Sequence, residues 1–430
     1  INYFMKRYDL IISIIFTALF FFACDDVNTG PSEPKGPWNP GPLAECTVTP
    51  INGGAIITYT IPKDPDILYI MAEYERNGKI FTDKSSVYNN SLTIEGFHRV
   101  NKVKAKLYKV NKHEQRSEPI EVEFEPLESL IDIACNTWEM IPGFGGVIGS
   151  WYNPKQTELG VRLMVENEGN IMETRDMYYT ALKNDKHAFR PYEAVQTNFG
   201  ISFEDKWGNI SDTIRFTTTP LYEVMIPKPY ADFRANIPWD NTTNLSTRQL
   251  SLLWDNTVNT SGHGWLTNPG GSGLSITIDL KRVVKLSRIV RHPYHINSLY
   301  GQANITDFEA WGIDEIDYDL LTDKSYWLDS LSVRWGAIKT VDPMTEIPSR
   351  TFKDDWTYLG RNIVPGGLSN ADIYALSASG VESEVPLEAK PVRYVRIFVR
   401  SITFISPPPS SNYFSCSELT FYGDTSIPQD

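Results

Sequence analysis

The sequence predicts an all-β chain folded as three sandwiches in a row, and three observations carry the prediction. First, apolar residues recur in short β-type runs such as Ala55-Ile56-Ile57-Thr58-Tyr59, Leu274–Leu280 and Val392–Val399, with no helical period among them. Second, Gly, Pro, Asn and Asp separate the runs at sandwich-like intervals. Third, the 430 residues are 41% apolar and 22% charged, too long for one core and too apolar for disorder.

Taken from the start, Met5-Lys6-Arg7 precedes an apolar run from Leu10 to Ala23. A basic n-region and a short apolar run form a secretory signal. The run is shorter than the roughly 20 apolar residues of a bilayer span. Phe21-Phe22-Ala23-Cys24 resembles a bacterial lipobox, which implies lipidation at Cys24 and a signal peptide over residues 1–24. Residues 25–42 open with Asp25-Asp26, continue rich in Pro and Gly, and read as an extended linker.

Residues 43–127 hold strands such as Leu68–Tyr74 and Val103–Val110, at the spacing of an immunoglobulin or fibronectin III sandwich. Residues 128–222 repeat the plan: Ile51-Asn52-Gly53-Gly54-Ala55 is echoed by Gly143-Phe144-Gly145-Gly146-Val147. Asp205-Lys206-Trp207-Gly208-Asn209 reads as a turn, with Trp207 as turn packing. Residues 223–430 carry Leu253–Thr260 with Trp265, Leu286–Val290, Asp307–Gly312 answered by Trp356–Gly360, and Ser417–Gly423.

Those C-terminal fragments, in that order, resemble the discoidin family (coagulation-factor type C, galactose-binding-like domains). The resemblance implies a jelly-roll sandwich that binds sugars or membranes through the loops at one end. It also implies one structural Ca, with Asp255, Thr260 and Glu418 as ligands; Ca²⁺ takes about six to eight hard oxygens. Asn256 and Thr257 depart from the family's loop. Tandem sandwiches before such a domain, behind a lipobox and acidic residues, resemble the surface glycan-binding lipoproteins of Bacteroidota polysaccharide-utilisation systems. That likeness implies an outer-membrane lipoprotein exposed on the cell surface, touching the membrane only through its lipid. It would work with an outer-membrane transporter complex.

Sugar recognition needs an aromatic face and polar groups for the hydroxyls. Loops leaving the C-terminal strands offer Trp265, Arg291, His292, Tyr294, His295, Tyr300, Phe404 and Tyr413; each serves equally well as rim packing. Residues 313–353, with Tyr326, Trp327 and Trp335, form an insertion that either widens the binding face or packs on the neighbouring sandwich. A net charge of −13 argues against nucleic acid and anionic lipid as partners and favours a neutral ligand. Cys46, Cys135 and Cys416 have no metal or disulfide spacing. No nucleophile elbow, HExxH or phosphate loop is present, so the expected role is non-catalytic capture of poly- or oligosaccharide for uptake. An adhesin for host glycoprotein or protein, or a structural subunit of a surface complex, is the alternative.

Overall fold

A computed structural model of the chain describes residues 36, 38–237, 240, 243–268, 275–294, 304–323, 325–327, 350–364, 368–402 and 413–429. The fold is all-β: two fibronectin III-like sandwiches followed by a discoidin-like sandwich.

The first sandwich runs through β1 (Cys46–Ile51), β2 (Gly54–Tyr59), β3 (Ile67–Arg76), β4 (Lys79–Ser86), β5 (Ser91–Glu95), β6 (Val103–Asn111) and β7 (Ile120–Phe124). Its sheets are ordered β1-β2-β5 and β4-β3-β6-β7. In β6, Val103, Ala105 and Leu107 are buried while Lys104 and Lys106 face water, the period-2 pattern of a half-buried strand. The core gathers Ile57, Ile70, Ile94 and Leu107, all fully buried.

A short helix, α1 (Leu130–Asn136), follows, N-capped by Ser129. Then come β8 (Glu139–Gly143), β9 (Gly146–Tyr152), β10 (Leu159–Glu166), β11 (Met172–Thr180), β12 (Asn184–Phe189), β13 (Thr197–Asp205) and β14 (Ile214–Thr218). Their sheets, β8-β9-β12 and β11-β10-β13-β14, repeat the earlier order strand for strand. The echoed glycines have a physical reason. Gly53 and Gly145 both sit at φ +62°, and donate their N–H groups to Leu127 O (3.0 Å) and Leu221 O (2.8 Å). At the next residue, a Cβ on Gly54 would meet Ile94 O at 2.0 Å and one on Gly146 would meet Phe189 O at 1.9 Å. Only glycine fits either place.

The described residues group into two compact units. One holds those up to 139 with 150–186 and 199–216; the other holds 140–149, 187–198 and 217 onward. In the first unit, Asp205 accepts from the Trp207 and Asn209 N–H groups, and the Trp207 ring lies against Gly96. Trp207 is turn packing, as its motif suggests.

In the second unit the C-terminal sandwich is built from β15 (Val224–Met225), β16 (Ala231–Asp232), β17 (Trp265–Leu266), β18 (Ser275–His292), β19 (Ile305–Ile313), β20 (Thr357–Ile363), β21 (Val381–Glu384), β22 (Val392–Ile402), β23 (Ser415–Cys416) and β24 (Glu418–Asp424). Strand β18 belongs to two layers. Its first half pairs with β16 and β22, and after an irregularity between Asp279 and Val284 its second half pairs with β21 and β24. Ile276, Ile278, Ile289, Phe308, Val395 and Phe421 fill the space between. In the same unit Arg190 donates to Glu384 (2.6 and 2.8 Å) and Glu382 (3.0 Å), while Arg288 bridges Glu382 (2.7 Å) and Glu223 (3.1 Å).

The described residues at the two ends of the insertion do not stay apart. Tyr326, Trp327, Phe352 and Trp356 pack on Tyr394 and Phe398 of β22, forming a second apolar cluster on the outer side of their own domain's sheet. A short helix, α2 (Phe352–Asp355), anchors it through a capping box of Thr351 and Asp354. Burying one such aromatic removes about 150–250 Å² from water, a gross gain of roughly 4–6 kcal/mol. Beneath this cluster lies a closed polar ring. Arg396 and Asp240, 1% and 0% exposed, pair at 2.9 Å, and Ser275 and Thr277 donate to Asp240 at 2.6 Å each. The Arg396 guanidinium faces the Phe352 ring at 4.9 Å and the Trp327 ring at 5.3 Å.

Candidate functional site

The described ends of the insertion and the residues just after it line an open cavity of about 210 Å³. Tyr326, Trp327 and Trp356 supply its aromatic wall, and Asp317, Arg350 and Asp355 its polar edge. The wall is rigid because each ring is held. Trp327 Nε1–H donates to Leu320 O at 2.9 Å, and the Trp327 and Trp356 rings meet edge to face at 5.9 Å. Tyr326 O–H donates to Asp355 Oδ2 at 2.8 Å; burial raises its pKa, so it remains a donor. Arg350 donates to Asp355 Oδ1 at 2.8 Å, and that bond holds the Asp355 carboxyl below its ordinary range. A second recess, lined by Glu315, Asp317, Tyr318 and Asp319, shares Asp317 with the first. Tyr318 is 63% exposed there.

The residues expected to touch sugar take other places. Trp265 is fully buried, edge-on to Phe414 at 5.0 Å, with Nε1–H donating to Asn244 Oδ1 at 2.9 Å. Arg291 is also fully buried, and its Nε–H donates to Asn362 Oδ1 at 2.9 Å. Tyr294 is 2% exposed, and its backbone is clasped by the Asn304 amide at 2.7 and 2.6 Å. His292 lies under the end of α3 (Asn370–Ser379), its Nδ1–H donating to Ser377 O at 3.3 Å. There Gly380, at φ +80°, leaves room that a Cβ would take from the imidazole. These four side chains are packing, the second of the two roles the sequence left open: Trp265 lies in β17, Arg291 and His292 close β18, and Tyr294 follows two residues later. Tyr413 is half-buried on the core. Cys24, His295, Tyr300 and Phe404 lie outside the described residues.

Burial lowers the His292 pKa below its usual 6.5, and Lys228 and Arg291 add to the effect. A base whose folded pKa is depressed carries no penalty above 6.5, where both states are neutral. It loses stability as pH falls below that value and the unfolded state alone takes the proton. The unfolding temperature of the His292→Gln variant is therefore expected to fall less than the parent's between about pH 7 and about pH 5. Equal slopes would show that the imidazole carries no such penalty.

The three residues assigned to calcium do not converge on one open site. Asp255 Oδ2 pairs with His263 Nε2 at 2.8 Å and Asp255 Oδ1 accepts from Thr257 N at 2.9 Å. Thr260 Oγ1 donates to Val258 O at 3.3 Å. Glu418, 1% exposed, is ion-paired with Lys228. Burial pushes the Glu418 carboxyl up to about 7, against the opposing pull of the ammonium. Among the described residues no group of three or more His, Cys, Asp and Glu side chains is placed to hold a metal. As arranged, these residues do not fit a calcium ion.

Residues 40–126 match a family described as Domain of unknown function (DUF4959), residues 127–229 Domain of unknown function (DUF5126), and residues 254–423 a further Domain of unknown function (DUF5000). No curated protein matches the chain. Solved structures similar to it include a SusE-like protein at 21% identity and a TM-score of 0.33, covering 68% of this chain and 97% of that one. An F5/8 type C domain from Bacteroides fragilis is similar at 14% identity and a TM-score of 0.24, over 43% and 89% of the two chains. A two-domain fibronectin type-III segment of chicken tenascin is similar at 13% identity and a TM-score of 0.21, over 41% and 97%.

Proposed function

We propose that this chain is a non-catalytic carbohydrate-binding protein of the bacterial cell surface, capturing oligosaccharide for uptake through its C-terminal domain. The observation that carries this reading is the cavity in the insertion. It is concave, walled by aromatic rings and edged by two carboxylates and a guanidinium, which suits the apolar face and hydroxyls of a pyranose. A protein partner would call for a flat apolar patch of several hundred Å² instead. The volume, about 210 Å³, is below the roughly 300–1,000 Å³ of clefts for drug-sized ligands, so it suits one sugar ring of a longer chain. The acidic recess beside it, with Glu315, Asp317 and Asp319, favours neutral sugars over uronic acids.

The N-terminal lipobox reading supplies the surface anchor at Cys24. The two sandwiches serve as a spacer between that anchor and the site. No helix among the described residues is long and apolar enough to cross a membrane.

Affinity electrophoresis over neutral and acidic polysaccharides, followed by calorimetry with oligosaccharides of the retained class, tests the proposal. Retention on a neutral glycan is expected, weakened about tenfold or more by Arg350→Ala with Asp355→Asn, since one charge-assisted hydrogen bond is worth roughly 1.5–3 kcal/mol. Unchanged affinity in that double variant would remove the site. Absence of retention on every glycan would remove the function.

A further inference from the structure

The Lys228 ammonium sits in an oxygen cage assembled from two distant parts of the chain. It donates to Glu418 on β24, to Asn256 Oδ1 (3.1 Å) on the 255–263 loop, and to Thr420 Oγ1 (2.9 Å). Three N–H donors meet three acceptors, so the ammonium is saturated. The lysine side chain is only 6% exposed and the glutamate 1%. Asn256 closes the cage a second time, its backbone N–H donating to Glu418 Oε1 at 3.3 Å from a left-handed conformation at φ +66°. Beside it Asp255 fixes the far side of the same loop through His263.

This cage involves Glu418 and the loop that begins at Asp255, the elements assigned to a structural calcium by the resemblance to discoidin domains. A divalent ion needs about six to eight oxygens at about 2.3–2.6 Å. Beside Glu418 it would also have to share a buried pocket with a positive charge. The one Glu418 oxygen left without a hydrogen-bond partner, Oε2, lies buried next to that ammonium. A carboxylate there already has its counter-charge.

We propose that Lys228 is the built-in cation of this domain: its ammonium replaces a structural metal ion, ties the 255–263 loop to β24, and leaves the fold independent of calcium. A covalently attached cation cannot be removed by dilution or chelation. Its disadvantage is a fixed single charge and a small coordination number, which matches a cage with one carboxylate and two neutral oxygens.

The test is calcium titration by calorimetry and thermal unfolding of the full chain, in calcium and in chelator. The parent protein is expected to show no binding heat and the same unfolding temperature in both. A bound structural calcium at about a hundredfold excess over its Kd would raise that temperature by roughly 5–10 °C, and such a rise in the parent overturns the proposal. Lys228→Ala is expected to lower the unfolding temperature by roughly 10 °C in chelator and to gain it back in part with calcium, because removing one partner strands a buried carboxylate. An alanine variant as stable as the parent overturns the proposal too. If that variant does not fold, Lys228→Met with Glu418→Gln, which removes both charges together, is expected to fold and to ignore calcium. Calcium-dependent folding of this pair would be a contrary result.

Discussion

Replacing Asp240 with Ala is expected to destabilise the C-terminal domain by roughly 3–5 kcal/mol, read from urea unfolding of that domain's tryptophans. The cost comes from what is left behind. Arg396 is 1% exposed and lies between the sheet and the Phe352 and Trp327 rings, so it cannot reach water when its carboxylate goes. Ser275 and Thr277 lose their acceptor in the same step. Arg396→Met with Asp240→Ala removes both charges and is expected to recover much of the loss, since a buried pair is often replaceable by apolar packing. A double variant no better than the single one would show that the ring sets the shape of the insertion itself. In either case the cavity walled by Trp327 rests on this ring.

The second large effect is at Trp265. Trp265→Ala is expected to cost roughly 3–5 kcal/mol of stability, the range for truncating a buried aromatic. Trp265→Phe keeps the edge-to-face contact with Phe414 and removes one of two donors to the Asn244 carbonyl oxygen, which keeps Arg234 Nη1 at 3.3 Å, and is expected to cost about 0.5–1.5 kcal/mol. Glycan affinity per folded molecule should be unchanged in the phenylalanine variant. A weakened affinity at full folding would return Trp265 to the binding face.

How much of this was legible in the sequence depended on the kind of signal. The all-β class followed from period-2 runs, and the tandem sandwiches from the paired Gly-Gly turns, because steric demands at Gly54 and Gly146 leave one residue type. Side-chain direction in the C-terminal loops was not legible. Trp265 lies in a strand of two residues, too short for alternation to tell inside from outside. Arg291 and His292 end an 18-residue strand whose irregularity after Asp279 shifts the register on which such reasoning depends. The aromatics of the insertion were conspicuous, yet only their packing against Tyr394 and Phe398 shows which sheet they cover. Lys228 could not be singled out at all, since Glu418 lies 190 residues away.

The double membership of β18 has a consequence for biogenesis. Its second half hydrogen-bonds to β24, the element made last in this domain, and β15 has the same partner. At a translation speed of about 5–20 residues per second, His292 precedes Asp424 by roughly 7–26 s. Through that interval a nascent chain carries a long strand with an open hydrogen-bonding edge, a template for mispairing with other chains. This layer of the domain is therefore completed only when its final strand arrives.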